Sequence, residues 1–271
     1  MNFLVVLEGV GIAAVILLPL AAKWQIRPKR SLAGAIIIGL LSSLITAIIS
    51  GELGGLNTFA QAALEVILIL GLATVSVAYM FYRDPERDVP AHDGAMVSPA
   101  DGEVIYIKEI QQGKVPLSVK QGHHFKLEEL TQTGLMQDGG YLIGIGMNLL
   151  NVHVNRAPIK GKVEMIKHVK GSFLSLRQPG AVLRNERVTT VIDEGRFKVA
   201  VVQIASRLVR RIDSYLYQGQ AVEKGQRIGM IKFGSQVDLV IPKLRDCKIM
   251  VRPGDEVKAG TSVLVEYRNS I

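Results

Sequence analysis

The sequence has one cysteine, few aromatic residues and almost no charge in its first third. The single Cys247 excludes an intramolecular disulfide framework and a zinc site built from several cysteines. The patterns GxxxxGK[ST], GxGxxG and GxSxG do not occur, so common phosphate, dinucleotide and hydrolase sites are not predicted. The five histidines lack metal-ligand spacing, and no basic cluster is interleaved with aromatics. The sequence therefore predicts neither a metal site nor a nucleic-acid partner.

Charge is distributed very unevenly along the 271 residues. Residues 1–82 contain four of the 32 basic and three of the 24 acidic side chains, which leaves 28 basic and 21 acidic residues in the remainder. That remainder carries +7 of the formal net charge of +8. An uncharged, apolar third followed by a mildly basic polar part excludes a disordered chain and a wholly soluble protein.

Three apolar segments, 3–22, 31–50 and 60–82, are each about as long as the roughly 20 residues that a membrane-crossing helix needs. They predict a membrane anchor over residues 1–82 with two to three transmembrane helices. The first segment contains Glu8, which is costly within a bilayer, so a re-entrant or interfacial first segment remains the alternative.

The loops between these segments predict the orientation of the chain. All four basic residues of the first third lie in the loop at 23–30, and none lies in the loop at 51–59. The positive-inside rule places the 23–30 loop in the cytoplasm. Everything after residue 82 is then cytoplasmic, whether or not the first segment spans, because the second and third segments form a hairpin. We expect a multi-pass protein of the cell membrane.

Residues 83–271 have the pattern of a β protein. Short Val- and Ile-rich runs with alternating polarity predict strands at 103–110, 141–147, 162–169, 187–192, 198–205, 238–242 and 262–267. Short helical patterns occur near 125–135 and 205–216. The predicted fold class is mainly β, an antiparallel sandwich or barrel-like domain with few short helices, preceded by transmembrane α-helices.

A weak internal repeat adds detail to this β part. Residues 219–228 and 254–263 both read G-x-x-V-x-x-G-x-x-hydrophobic, which is the turn chemistry of lipoyl-like hairpins. Membrane-fusion adaptors of efflux pumps combine such repeats with a membrane anchor. A non-enzymatic adaptor of that type is therefore an alternative to an enzyme.

Four short segments each look like an ordinary turn, linker or strand end when taken singly. Their occurrence together and in this order is specific enough to indicate a family. They are FYRDPER (81–87), SPADG (98–102), VHVNRAP (152–158) and FGSQVD (233–238). Together, with the NER segment that begins at Asn185, they resemble the short, membrane-anchored form of the phosphatidylserine decarboxylase family. That form includes bacterial phosphatidylserine and archaeal archaetidylserine decarboxylase proenzymes.

The resemblance implies a self-processing enzyme. Ser235 attacks the carbonyl of Gly234, the peptide becomes an ester, and β-elimination divides the chain into a β chain of 1–234 and an α chain of 235–271. Ser235 becomes a covalent pyruvoyl group, which forms a Schiff base with the serine amine of a phospholipid headgroup and accepts electrons as carbon dioxide leaves. The implied partners are a serine phospholipid in the bilayer and the α/β heterodimer; a homodimer is left open.

The resemblance also assigns roles to individual residues. His153, oriented by Asp101, is the expected base for Ser235, and Arg156 is a candidate ligand of the headgroup phosphate. Long family members have two histidines where this chain has only His153, so the division of roles between cleavage and decarboxylation stays open. We further expect the apolar loop with Phe173, Leu174 and Leu176 to face the bilayer and contact the lipid.

Overall fold

A computed structural model describes residues 3–24, 26–111, 114–116, 124–131, 139–172, 174–176, 178, 180–205, 211–232 and 235–268. For residues 3–5, 114–116, 124–127, 129 and 235 the description covers the main chain. The chain forms two compact units. The helical unit comprises Met1–Arg83 and Asn148–Leu150, and the β unit comprises Asp84–Met147 and Asn151–Ile271.

The helical unit contains three long helices, α1 (Phe3–Lys23), α2 (Pro28–Glu52) and α3 (Thr58–Tyr82). All three are long and apolar enough to cross a membrane by length and composition. α2 begins earlier than the apolar segment at 31–50, because Pro28 suits the first turn of a helix. α3 also begins early, since the side chain of Asn57 accepts a hydrogen bond from the Ala60 amide at 2.9 Å.

Helices α1 and α2 approach each other through small residues. A Cβ atom added to Gly39 would lie 2.6 Å from the Cα of Val10 and 2.9 Å from the carbonyl oxygen of Gly9. No larger side chain fits at Gly39 without moving a helix. Close backbone packing of this kind is typical of helices that associate in lipid. Lipid tails are as apolar as the side chains, so burying those side chains contributes little and van der Waals packing between the helices contributes more.

The β unit contains sixteen strands and two short helices among the described residues. In chain order they are β1 (Ala95–Val97), β2 (Gly102–Ile110), β3 (Lys114–Pro116), β4 (His124–Lys126), α4 (Leu127–Thr131), β5 (Gly140–Met147), β6 (Val154–Arg156), β7 (Gly161–Val169), α5 (Ala181–Arg184), β8 (Arg187–Asp193) and β9 (Lys198–Ile204). The remaining strands are β10 (Ile212–Ser214), β11 (Ala221–Val222), β12 (Arg227–Ile231), β13 (Ser235–Pro242), β14 (Lys248–Ile249), β15 (Glu256–Val257) and β16 (Val263–Glu266).

One antiparallel sheet dominates the β unit, with the order β11-β7-β8-β9-β13-β5-β2-β15. Two three-stranded sheets, β1-β16-β14 and β10-β12-β6, accompany it. Alternate residues of the large sheet face two separate apolar cores. Along β13, Val237, Leu239 and Ile241 belong to the larger core and Val240 belongs to the smaller one.

The β unit is built from two halves with the same strand order and pairing. The first half is β1, β2, β5, β13, β14, β15 and β16; the second is β6 to β12 without interruption. Exchanging the halves leaves the order of the eight-stranded sheet unchanged, which amounts to a twofold pseudosymmetry. The second half is inserted between β5 and β13 of the first. Ser235, where β13 begins, is thus the point at which the chain returns to the first half.

Hydrogen bonds repeat across the two halves. The Gly254 amide donates to the Val104 carbonyl at 2.8 Å, and the Gly219 amide donates to the Val163 carbonyl at 2.7 Å. The register of β2 with β5 shifts just after Val104, and that of β7 with β8 shifts just after Val163. The sequence repeat at 219–228 and 254–263 therefore marks corresponding turns of the two halves.

The observed architecture confirms the predicted fold class: a mainly antiparallel β protein with few short helices, preceded by three apolar helices. The seven predicted strands correspond to β2, β5, β7, β8, β9, β13 and β16. The short helix expected near 125–135 is α4. The helix expected near 205–216 is wrong where the structure describes that stretch, because Ile212–Ser214 pairs with β12 as strand β10. Residues 206–210 lie outside the described residues.

Candidate active site

Asp101 lies in the tight loop that joins β1 to β2. The hydroxyl of Ser98 donates to the carbonyl of Ala100 at 2.7 Å, which closes the loop on itself. Gly102 then starts β2 against β5, where an added Cβ atom would come within 2.3 Å of the neighbouring main chain. The sequence SPADG is therefore a compact turn that presents one carboxylate at a defined place.

The Asp101 carboxylate is buried, with 6% of the residue exposed, and is held from two sides. Its Oδ1 accepts a hydrogen bond from the Ala259 amide at 2.8 Å. One guanidinium nitrogen of Arg87 donates to both carboxylate oxygens, at 3.1 and 3.0 Å. These contacts restrict the rotation of the carboxylate.

His153 is fully buried and directly precedes β6. Its Nδ1 lies 2.8 Å from the carbonyl oxygen of Asn151. Because a carbonyl can only accept a hydrogen bond, Nδ1 carries the proton in that contact. In the neutral ring the basic lone pair is then on Nε2, which is the arrangement that a general base requires.

Ser235 is connected to this histidine through the main chain. The Ile231 amide donates to the His153 carbonyl at 3.2 Å, and only three residues separate Ile231 from Ser235. β13 starts at Ser235 in register with Met147 of β5. Gly234, the predicted residue before the cleaved bond, lies outside the described residues. The described main chain therefore places His153 beside Ile231, four residues before the start of β13.

The loop that carries Asp101 is hydrogen-bonded to the segment that follows His153. The Arg156 amide donates to the Pro99 carbonyl at 2.9 Å, and the Val97 amide donates to the Pro158 carbonyl at 3.0 Å. In the structure Asn151 contacts the His153 Nδ1, while the Asp101 carboxylate binds Arg87 and Ala259. Orientation of His153 by Asp101 stays a prediction.

Arg156 has contacts that differ from its predicted role in headgroup binding. The residue is 5% exposed, and its guanidinium donates to the carbonyls of Gly225 and Pro85, each at 3.0 Å, and to Asp84 at 3.2 Å. Its stem packs against Gly260, where an added Cβ atom would approach to 2.8 Å. These three hydrogen bonds fix the guanidinium against the protein, and headgroup binding by Arg156 stays a prediction.

The loop predicted to contact lipid is attached to the β unit by Asn185. The Asn185 side chain accepts from the Leu174 amide and donates to the Leu174 carbonyl, both at 2.8 Å. Leu174 and Leu176 are half-buried, and Leu176 packs against the smaller core. Phe173 lies outside the described residues. The NER segment is thus a support for this loop, and lipid contact by Leu174 stays a prediction.

A buried polar cluster on the sheet was not predicted from the sequence. The Tyr106 hydroxyl donates to both carboxylate oxygens of Asp238 at 2.8 Å, and the Gln236 amide donates to Asp238 at 2.7 Å. Burial raises the pKa of Asp238 to about 6, although these hydrogen bonds act in the opposite direction. Lys108 lies over the Tyr106 ring at 4.6 Å, and burial lowers the pKa of its ammonium.

The signal for this cluster is visible in retrospect. Asp238 interrupts the apolar run of β13 at a position where the neighbouring strands are apolar or glycine, and it directly follows the FGSQV segment. A charge in a central strand needs a partner in the folded state. That partner, Tyr106, is far away in sequence, so no local pattern identifies it.

Within the described ranges, no three His, Cys, Asp or Glu side chains come together as a metal site. The arrangement offers instead a buried histidine with a basic nitrogen, a fixed carboxylate and a serine at a strand start. Those groups fit acid–base chemistry on a serine and on the covalent group that the resemblance derives from it.

Comparison with known proteins shows which family the chain resembles. The sequence profile of the phosphatidylserine decarboxylase family matches residues 76–265. A protein of Methanocaldococcus jannaschii whose name proposes an archaetidylserine decarboxylase proenzyme is 40% identical over 188 residues, covering 69% of this chain and 88% of its own. A phosphatidylserine decarboxylase proenzyme of Geobacter metallireducens is 33% identical over 234 residues, covering 86% of this chain and 91% of its own.

The match spans the end of α3 and nearly all of the β unit, including all four segments of the ordered set. The relatives align over most of their own length, so the likeness is not confined to one motif. The chain belongs to the phosphatidylserine decarboxylase family, a family of carboxy-lyases.

Proposed function

We propose that this protein is a self-processing, pyruvoyl-dependent decarboxylase of a serine phospholipid, either phosphatidylserine or archaetidylserine. Membership of this family carries the proposal, and main-chain hydrogen bonds support it: they join the segment after His153 to the Asp101 loop and join His153 to Ile231, four residues before Ser235. The adaptor alternative is not favoured, because the two repeats are explained as corresponding turns of one duplicated β unit.

In self-cleavage, His153 removes the proton from the Ser235 hydroxyl through Nε2. The hydroxyl oxygen attacks the Gly234 carbonyl carbon, the C–N bond breaks, and the proton passes to the nitrogen, which leaves an ester. A base then removes the Cα proton of Ser235 and the Gly234 carboxylate leaves, so that residue 235 becomes a dehydroalanine. Its imine tautomer is hydrolysed by water, which supplies the ketone oxygen of the pyruvoyl group and releases ammonia. Glycine at 234 permits the main-chain geometry that this attack needs.

The fixed carboxylate of Asp101 supports these steps electrostatically. Each proton taken by His153 creates a positive imidazolium in a buried place, and a nearby negative charge lowers that cost. When present, the pyruvoyl group supplies a carbonyl that accepts the electron pair released as carbon dioxide departs. His153 and Asp101 are then the residues available to hold or return a proton at the substrate Cα.

We further propose that the protein is a multi-pass protein of the cell membrane with its β unit in the cytoplasm. The three apolar helices and the four basic residues at 23–30 support this orientation. The β unit is mildly basic, which suits the anionic surface of the cytoplasmic leaflet. An enzyme held there meets its substrate in the plane of the bilayer.

The test is the intact mass of the purified full-length protein. We expect two chains, 1–234 and 235–271, with the smaller one blocked by a pyruvoyl group. The S235A variant stays a single chain and releases no carbon dioxide from phosphatidylserine vesicles. The matched control S214A, at an exposed serine of β10, cleaves normally. An uncut wild-type chain, or an active S235A protein, would overturn the proposal.

A reporter fused after Ile271 tests the orientation separately. We expect the signal of a cytoplasmic reporter. An external reporter signal would contradict the proposed orientation without bearing on the chemistry.

A further inference from the structure

The segment Asp84–Arg87 begins two residues after the end of α3. It lies along the β unit and is held there by ion pairs. Asp84 contacts Arg156 at 3.2 Å and also Arg227. Glu86 contacts Arg227 at 2.7 Å. The segment therefore has a defined path over the β unit, although it has no helix or strand structure of its own.

Arg87 differs from the rest of this segment because its partner is Asp101. The side chains of Arg87 and Asp101 are 11% and 9% exposed, whereas those of Arg227 and Glu86 are 37% and 85% exposed. Water and salt screen the outer pair strongly and the inner pair weakly. The Arg87–Asp101 pair is thus the one contact of the segment that holds a buried carboxylate.

The geometry of this pair restrains Asp101 in a specific way. One Arg87 nitrogen bridges both carboxylate oxygens, and the Ala259 amide binds Oδ1 from the main chain. With both in place the carboxylate plane cannot turn. With the amide alone, the carboxylate keeps one donor and loses its counter-charge.

We propose that Arg87 is the positioning residue for Asp101, so that the segment after the third apolar helix completes the active site. The inference rests on the proposed function, because Asp101 acts there as the fixed negative charge near His153. Arg87 itself contacts neither substrate nor the reacting serine in this proposal.

The consequence is a selective loss of rate. Without Arg87, Asp101 samples several orientations and stabilises the imidazolium of His153 less well. Self-cleavage and turnover both use that charge, so both become slower, while binding of the phospholipid does not depend on it. A rate effect without a binding effect separates positioning of Asp101 from a role in holding the substrate.

The experiment uses the full-length protein in phosphatidylserine vesicles with R87A, R87K and the control E86Q. For R87A we expect self-cleavage and the kcat of the matured fraction to fall about 10-fold or more, with KM nearly unchanged. R87K keeps the charge but replaces the rigid guanidinium with a flexible ammonium, and it should give an intermediate rate. E86Q removes only the exposed contact to Arg227 and should cleave at the wild-type rate.

Chemical rescue supplies a readout that loss of stability does not mimic. Millimolar guanidinium should restore part of the R87A rate in a saturable manner, because it replaces the missing group beside Asp101. Urea at the same concentration has a similar shape but no charge and should restore nothing.

The inference is overturned if R87A cleaves and turns over like wild type, if KM alone changes, or if urea and guanidinium act alike. R87K decides the matter if R87A does not fold, since an unchanged kcat per folded R87K molecule also overturns it. Failure of the proposed function looks different, because the wild-type protein would then remain uncut.

Discussion

The two halves of the β unit share a backbone and differ in chemistry. The loop SPADG (98–102) and the loop APIKG (157–161) occupy corresponding positions. The carbonyls of Ser98 and Ala157 each accept a hydrogen bond at 2.8 Å, in both cases from the amide of the second glycine of the sequence repeat in the same half. The first loop presents a buried Asp101. The second presents an exposed Lys160, paired with Asp93 at 3.0 Å. The frame is therefore duplicated, but the site is not.

The sheet shows the same asymmetry. Tyr106, Gly144 and Asp238 lie side by side on β2, β5 and β13. The corresponding positions on β7, β8 and β9 are Met165, Val191 and Ala200, which belong to or pack against the smaller core. One half thus has a buried polar cluster where the other has apolar packing. The comparison shows that backbone geometry alone does not specify a site; the side chains placed on it do.

Removing the charged group from each of the two loops tests the difference between Asp101 and Lys160. We expect the largest effect of all the predictions from the loss of the Asp101 charge. D101N should slow self-cleavage about 100-fold or more, because a neutral amide cannot stabilise the imidazolium of His153. K160M removes an exposed ion pair and should change cleavage by less than about twofold. The measurement is the fraction of cut chain against time on a denaturing gel. Equal rates in D101N and K160M would contradict the assignment of the site to the first half.

The pH dependence of stability tests the buried cluster. The pKa of Asp238 is about 6 in the folded protein and 3.8 ordinarily, so the folded state holds the proton longer. The stabilisation from this group is complete below about pH 4 and is lost as the pH rises to about 6, a change of roughly 3 kcal/mol. The D238N variant has no ionisable group at this position and therefore lacks this pH dependence of stability.

The measurement is the thermal midpoint of wild type and D238N between pH 4 and pH 7, in detergent. We expect the midpoint of D238N to rise relative to wild type as the pH passes from 4 to 6. A difference between the two proteins that stays constant with pH would show that Asp238 keeps an ordinary pKa.

The smallest expected effect compares equivalent positions in the sheet. Y106F removes the hydroxyl that donates to Asp238 and should lower the free energy of unfolding by about 1–3 kcal/mol, because a buried acceptor loses its partner. M165L, at the corresponding position of the second half, conserves volume and should cost about 1 kcal/mol or less. Denaturant titration of both variants checks this. A larger loss in M165L would mean that apolar packing dominates in both halves.

Much of the fold could be predicted because its signals are local. The alternation of EVIYIKEI and KVAVVQIA predicts β2 and β9 within one residue of their observed bounds, since side chains of a strand face opposite sides. The long apolar segments predict the three helices of the first third in the same local way. Short elements are harder to predict: Ile212–Ser214 lies in a helical sequence pattern, but its pairing with β12 makes it a strand.

The members of the candidate site were proposed from the sequence, but their contacts were not predictable. Asp101, His153 and Ser235 were proposed from ordered motifs, whereas no sequence pattern indicated the partners of Arg87 and Arg156. Arg87 and Asp101 are fourteen residues apart with no common pattern, and the acceptors around Arg156 come from 84–85 and Gly225. Such partners depend on how distant segments cross, which local sequence does not encode.

The sequence by itself determined the apolar third, the strands and the serine proposed as reactive, because hydrophobic periodicity and short motifs act over a few residues. The tertiary structure decided that one half is inserted into the other, that Ser235 begins the returning strand, and that Arg87 holds Asp101. These features arise from pairing between residues far apart in the chain. Burial then makes each of those contacts strong enough to matter, because a charge removed from water depends on the partner that the fold provides.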